Sequence, residues 1–195
     1  MGIKVGVIGA GNVGGTLGGR WAQNGHDVML SKREGSPTVA EVVQASDVLL
    51  LATPFEVTEE VLRSAGDLSG KIVIDATNPL LPKLAGLSVG TTLSGAELVA
   101  QWAPGARVVK AFNTVGWNIM ANPAFPGGSP AMFYCGDDAG AKHTVAGLIA
   151  ELGFEALDAG PLVQARVLEP FALLWISLAV KYGYGREIGF HFMRR

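Results

Sequence analysis

The feature that most constrains this chain is short. Gly9-Ala10-Gly11-Asn12-Val13-Gly14 reads G-x-G-x-x-G. It follows the apolar run Ile3 to Ile8 and opens a helical pattern from about Val13 to Asn24. A strand, a glycine turn and a helix in that order are what a dinucleotide-binding turn requires. Gly9 permits the tight turn, Gly11 lets the backbone approach a pyrophosphate, and Gly14 lets the helix sit close to the strand. The free N–H groups of the first helical turn, around Asn12 and Val13, then face the anion. The plain alternative is a glycine-rich turn without a ligand. Gly15, Gly18 and Gly19 continue into the helix, where glycine costs stability relative to alanine. Close packing on the sheet, or close passage of a ligand, would account for them.

The same alternation continues. Strand-like runs lie at Val28 to Leu30, Asp47 to Ala52, Lys71 to Ile74, Arg107 to Phe112, Ala131 to Cys135 and Phe154 to Leu157. Helical patterns fall between them at Thr38 to Ala45, Glu56 to Ala65, Ala96 to Trp102 and Asp138 to Leu152, and a last one runs from about Gln164 to Tyr182. Unbroken apolar runs such as Val48-Leu49-Leu50-Leu51 indicate strands buried on both faces. The pattern predicts an α/β, Rossmann-like, doubly wound and mostly parallel sheet of six to eight strands. Residues 1–160 are expected to form the dinucleotide-binding domain, and 161–195 a small helical extension of the same compact unit.

Composition narrows the function. A chain of 195 residues leaves little room for a large separate substrate domain. With 49% hydrophobic residues it is not a disordered chain, and a net charge of −2 gives no footprint for nucleic acid. One cysteine, Cys135, excludes an intrachain disulfide and a Cys-rich metal site, so a reducing, cytoplasmic setting is expected. No metal-ligand spacing is recognisable. The most apolar stretch, Pro170 to Val180, falls short of the roughly 20 residues that cross a bilayer, so no membrane partner is expected.

An NAD site carries an acidic residue at the end of the second strand. Here that place reads Ser31-Lys32-Arg33. A hydroxyl and two cations suit a 2′-phosphate, which points to NADP(H); a solvated basic loop is the alternative. Three more loops leave the carboxyl ends of strands, where open parallel sheets bind ligands. They are Thr53-Pro54-Phe55, Thr77-Asn78-Pro79 and Asn113-Thr114-Val115-Gly116. Each alone reads as an ordinary turn; together at one edge they are candidates for the nicotinamide side.

No general acid or base stands at that edge. His26 lies in a turn and reads as structural, His143 on a helix surface and His191 near the C-terminus. A dehydrogenase acting on an alcohol must move a proton from oxygen, usually with a His, Lys or Tyr. Hydride transfer to a flavin or deazaflavin needs chiefly binding, orientation and exclusion of water. Direct transfer without a catalytic side chain is therefore the expected mechanism.

The chain resembles the NADPH-dependent reductases of coenzyme F420, an 8-hydroxy-5-deazaflavin, over nearly its whole length. The residues that carry the resemblance are Ile8 to Gly14, Gly25-His26 and Ser31-Lys32-Arg33, then Cys135-Gly136-Asp137-Asp138 and Leu157-Asp158-Ala159-Gly160-Pro161-Leu162. The resemblance implies hydride transfer between NADP and the deazaflavin, and assigns the 2′-phosphate to Ser31 and Lys32, with Lys where the family has Arg. Lys110-Ala111-Phe112-Asn113-Thr114 departs from it and looks like the cytoplasmic NADPH domain of membrane ferric reductases, which pass hydride to a flavin. The expected acceptor is thus F420, or FMN or FAD, bordered by Asn113, Thr114, Val115 and Trp117. An NADP(H)-binding redox sensor without turnover is the alternative; reduction of a small carbonyl or imine is a third reading. The final helix, apolar almost all round, is expected to build a homodimer interface. The tail from Gly189 is expected to add an edge strand or to cover the acceptor site.

Overall fold

The computed structural model describes residues 2–195. Its elements run β1 (Lys4–Ile8), α1 (Asn12–Gln23), β2 (Asp27–Leu30), α2 (Val39–Ala45), β3 (Val48–Leu51), α3 (Phe55–Ser64), β4 (Ile72–Asp75), α4 (Gly95–Trp102), β5 (Arg107–Lys110), α5 (Trp117–Ala121), β6 (Ala131–Gly136), α6 (Ala139–Ala150), β7 (Glu155–Asp158) and α7 (Ala165–Val180). The strands form one sheet in the order β2-β1-β3-β4-β5-β6-β7. Every neighbouring pair is parallel except β5 with β6, where Lys110 lies opposite Cys135. The doubly wound, mostly parallel Rossmann-like sheet expected from the alternation is therefore present.

Alternating residues of the central strands feed two cores. Val5, Val7, Val48, Leu50 and Ile74 pack with Leu17, Trp21, Met120 and Leu148 from α1, α5 and α6. Ile8, Leu49, Leu51 and Val73 pack with Val42, Leu62, Val99 and Leu168 from α2, α3, α4 and α7. The period-two direction of side chains in a strand makes this division unavoidable once both faces are covered.

Three segments were not expected from the sequence: the five-residue α5, a 3-10 turn at Pro82–Leu84 and another at Leu162–Gln164. The last one changes a conclusion. It joins α7 into a continuous stretch, Leu162–Val180, of 19 residues, long and apolar enough by length and composition to cross a membrane. The expectation of too short a stretch counted only from Pro170 and does not hold. One third of this stretch is buried in the domain. Its Glu169 is fully buried, and its Arg166 pairs with Glu97 of α4 at 2.6 Å. The tail forms no strand. Just before it Trp175 Nε1 donates to Ile188 O and Asn118 Nδ2 to Arg186 O; within it Phe190 O accepts from Ala131 N of β6 at 2.8 Å, and the Phe190 ring packs on Phe171 with centroids 4.6 Å apart.

Candidate functional site

The sheet order reverses between β1 and β3, since β2 leaves β1 on one side and β3 takes the other. A crevice at such a reversal, at the carboxyl ends of the strands, is the place where open α/β sheets bind ligands. The glycine turn sits there. Gly9 has φ +99°, a left-handed conformation, and a Cβ on it would stand 2.6 Å from Ala52 O at the exit of β3. A Cβ on Gly14 would collide with Gly9 O. A Cβ on Gly11 would meet nothing within 4 Å. Gly9 and Gly14 thus serve the protein's own packing, whereas the space over Gly11 is open. Of the later glycines, Gly18 packs on Val7 and Val28, but Gly19 has no neighbour within 4 Å and Gly15 only Ala10 O at 3.7 Å. Packing on the sheet explains Gly18 alone.

α1 starts at Gly11 with no side-chain cap and no acidic residue in its first turn. α2, α4 and α6 start differently: Thr38, Ser94 and Asp138 each accept a backbone N–H, and Glu41 and Glu97 complete capping boxes. A 12-residue helix whose first N–H groups are left uncapped beneath an open glycine has the donors and the dipole to receive a pyrophosphate.

Beside it, at the end of β2, Ser31 N donates to Val7 O at 2.9 Å and Ser31 is buried. Lys32 and Arg33 are exposed, and neither forms a salt bridge among the described residues. Two unpaired cations next to an uncapped helix start fit a phosphate at the adenosine end.

The far end of the edge is built otherwise. Thr53 Oγ1 lies 3.0 Å from Thr58 Oγ1, and Pro54 precedes α3. Asn78 and Asn113 tie the exits of β4 and β5 together. Asn78 Nδ2 donates to Asn113 O at 2.9 Å, and Asn113 Nδ2 donates to Asn78 Oδ1 at 3.1 Å and to Leu168 O of α7 at 3.2 Å. Pro79 follows Asn78 and is buried. Phe112, just before Asn113, is buried at φ +62° and packs edge-on against Trp21. A bulky residue in that conformation costs about 1–3 kcal/mol and persists where its surroundings demand it. Asn113 Oδ1 and Thr114 Oγ1 are buried without a hydrogen-bond partner among the described residues. Orphaned acceptors of this kind mark strain or a missing ligand.

Beneath this rung lies a charge cluster that the sequence reading overlooked. Lys110 Nζ is 2.9 Å from Asp75 Oδ2, 3.0 Å from Glu169 Oε1 and 2.6 Å from Thr77 O, and all three charged side chains are fully buried. Asp75 also accepts from Thr77 N and Thr77 Oγ1; Glu169 accepts from Gly95 N and Ala96 N at the start of α4. Burial pulls the Lys110 pKa down, but the charges of Asp75 and Glu169 outweigh it and leave it above the ordinary lysine value. A signal was available: Asp75, Lys110 and Glu169 each interrupt an otherwise apolar run; the structure adds that Asp75 and Lys110 are in register on adjacent strands.

The other candidates are placed as expected. His26 Nδ1 accepts from Ile3 N and its Nε2 lies 2.6 Å from Glu151, a structural clamp. His143 and His191 are exposed. Cys135 is buried, and burial pushes its thiol up to about 12. No group of three or more His, Cys, Asp or Glu that could hold a metal occurs among the described residues. A cavity of about 430 Å³ lined by Arg20, Asn122, Phe125 and Glu151 lies at the C-terminal end of α1, away from the glycine turn.

The family model for coenzyme F420-dependent NADP oxidoreductases matches residues 4–79, which contain the glycine turn, Ser31 to Arg33 and Asn78. A solved structure from Arthrobacter sp. FB24, provisionally described as an F420-dependent NADP reductase, superposes with a TM-score of 0.90 at 30% identity, covering 99% of this chain and all of that one. The chain belongs to the F420-dependent NADP reductase family. That family is one of NADP-dependent oxidoreductases. The F420-dependent NADP reductase of Methanocaldococcus jannaschii is 28% identical over 148 residues, covering 73% of this chain and 66% of that protein. Rat metalloreductase STEAP3 is 32% identical over 183 residues, covering 87% of this chain. This member of the reductase family spans only 36% of the metalloreductase's length.

Proposed function

We propose that the chain transfers hydride between NADP(H) and a second redox cofactor, a deazaflavin such as coenzyme F420 or a flavin, FMN or FAD. The observation that carries the reading is the uncapped start of α1 beneath the open Gly11, with unpaired Lys32 and Arg33 beside it. In this reading Gly9 and Gly14 shape the turn, while Gly11, Asn12 and Val13 present the backbone to the pyrophosphate. Ser31, Lys32 and Arg33 take the 2′-phosphate. Thr53, Pro54, Asn78, Pro79, Asn113 and Thr114 border the nicotinamide and its acceptor. The bound dinucleotide supplies the hydride, and a ring nitrogen of the reduced acceptor takes its proton from solvent; the protein binds, orients and keeps water out of the hydride path, with no side chain moving a proton.

The family supports F420 as the acceptor, and the likeness of Lys110 to Thr114 to ferric reductases is the reason to keep a flavin beside it. A homodimer belongs to the proposal, because α7 leaves the large apolar side chains of Val167, Leu174 and Val180 exposed on one element. So does a cytoplasmic location, which the lone buried thiol of Cys135 supports. The test is NADPH oxidation by purified protein with deazaflavin, FMN and FAD in turn. Turnover with at least one of them is expected. Tight NADPH binding without turnover on any acceptor would instead favour a redox sensor.

A further inference from the structure

The adenosine end of the site is open, but the nicotinamide end is fastened to a helix that contributes no residue to the candidate edge itself. Two consecutive residues of α7 do the fastening. Leu168 O accepts from Asn113 Nδ2, and Glu169 Oε1 pairs with Lys110 Nζ. Lys110 in turn holds Thr77 O and Asp75, the residues that lead into Asn78. Glu169 also holds the first N–H groups of α4, so one carboxylate fixes α4, α7 and β5 relative to one another. Shifting α7 would therefore move both asparagines of the rung at once, while the β1 turn and the β2 exit have no bond to this cluster.

We propose that Glu169, acting through Lys110, is a positioning residue that sets the exits of β4 and β5 for the nicotinamide half of the dinucleotide. This rests on the NADP(H) reading above. A charge cluster buried for stability alone could be replaced by apolar residues with little loss. A positioning cluster could not, because displacements of about 1 Å at a reacting centre cost rate and binding.

The test compares two ligands that share the adenosine end. NADPH spans the whole edge, whereas adenosine 2′,5′-bisphosphate reaches only the β1 and β2 exits. The variant is Glu169→Gln, which keeps the side-chain volume but removes the charge facing Lys110. It should weaken NADPH by about tenfold and leave adenosine 2′,5′-bisphosphate within about twofold. Hydrogen exchange should quicken in residues 76–79 and 111–116 and stay unchanged in residues 9–14. If that variant does not fold, the triple variant Asp75→Asn, Lys110→Met, Glu169→Gln, which leaves no unpaired buried charge, is read in the same way. Equal weakening of both ligands, or of neither, overturns the inference while leaving the NADP(H) reading intact. Wild-type protein that binds neither ligand overturns both.

Discussion

The exits of β1 and of β5 lie on one sheet with two strands between them, yet they solve opposite problems. At β1 the protein leaves groups unmet: the α1 start is uncapped, Gly11 faces open space, and the nearby Lys32 and Arg33 have no acidic partner. At β5 the exit is tied through Asn78, Asn113, Lys110, Asp75 and Glu169, with only Asn113 Oδ1 and Thr114 Oγ1 left unmet there among the described residues, and the backbone at Phe112 is held in a left-handed conformation. The difference follows the ligand proposed for each. A pyrophosphate and a 2′-phosphate are anions recognised by available donors, so donors are kept free. A nicotinamide ring offers little charge, and what it needs is a frame that does not move.

This contrast can be broken most sharply at its buried end. Lys110→Ala would strand two buried carboxylates, and a loss of about 3–5 kcal/mol in urea unfolding is expected. Lys32→Ala, an exposed change, should stay within about 0.5 kcal/mol in the same measurement. Similar losses for the two would mean that the ends are not built differently. The glycines give the next largest effect. Gly14→Ala should destabilise by about 1–3 kcal/mol, because its Cβ has no room beside Gly9 O. Gly11→Leu should leave the melting temperature nearly unchanged and abolish binding of NADPH and NADH alike, by isothermal titration.

Much of this was legible in the sequence. The glycine turn, the strand runs and the Ser31-Lys32-Arg33 segment are local signals, and local signals survive without coordinates. The structure confirms the sheet and brings the proposed residues onto one edge. The Asn78–Asn113 rung was half visible, as two loops without their mutual bonds. The cluster of Lys110, Asp75 and Glu169 was missed because its members are 35 and 59 residues or more apart and each looked like a stray charge in an apolar run. α5 was missed because five residues are too few to show a helical period. The apolar final helix was seen, but its buried Glu169 and the extra turn at Leu162–Gln164 were not.

Smaller effects sharpen the same comparison. Replacing Lys32 and Arg33 together with Ala should weaken NADPH by roughly tenfold to a hundredfold and leave NADH nearly unchanged. Equal loss for both cofactors would remove the 2′-phosphate from this end. At the other end, Arg166 donates to Glu97 and, with Ser94, holds its carboxyl down to about 2, against an ordinary 4.5. A depressed folded pKa adds stability that is complete above the unfolded value and is lost as pH falls from 4.5 to about 2. Denaturation followed through that window should show a shallower decline for Glu97→Gln than for wild type.

The central claim is direct hydride transfer without a proton-moving side chain. It is tested most directly by giving the protein NADPH deuterated at the transferred position of nicotinamide C4, with oxidised deazaflavin as acceptor. The account predicts that the deuterium appears on carbon 5 of the reduced deazaflavin, one label for each NADPH consumed. Oxidation of NADPH with the label lost to solvent, or tight binding with no oxidation by deazaflavin or by either flavin, would contradict it.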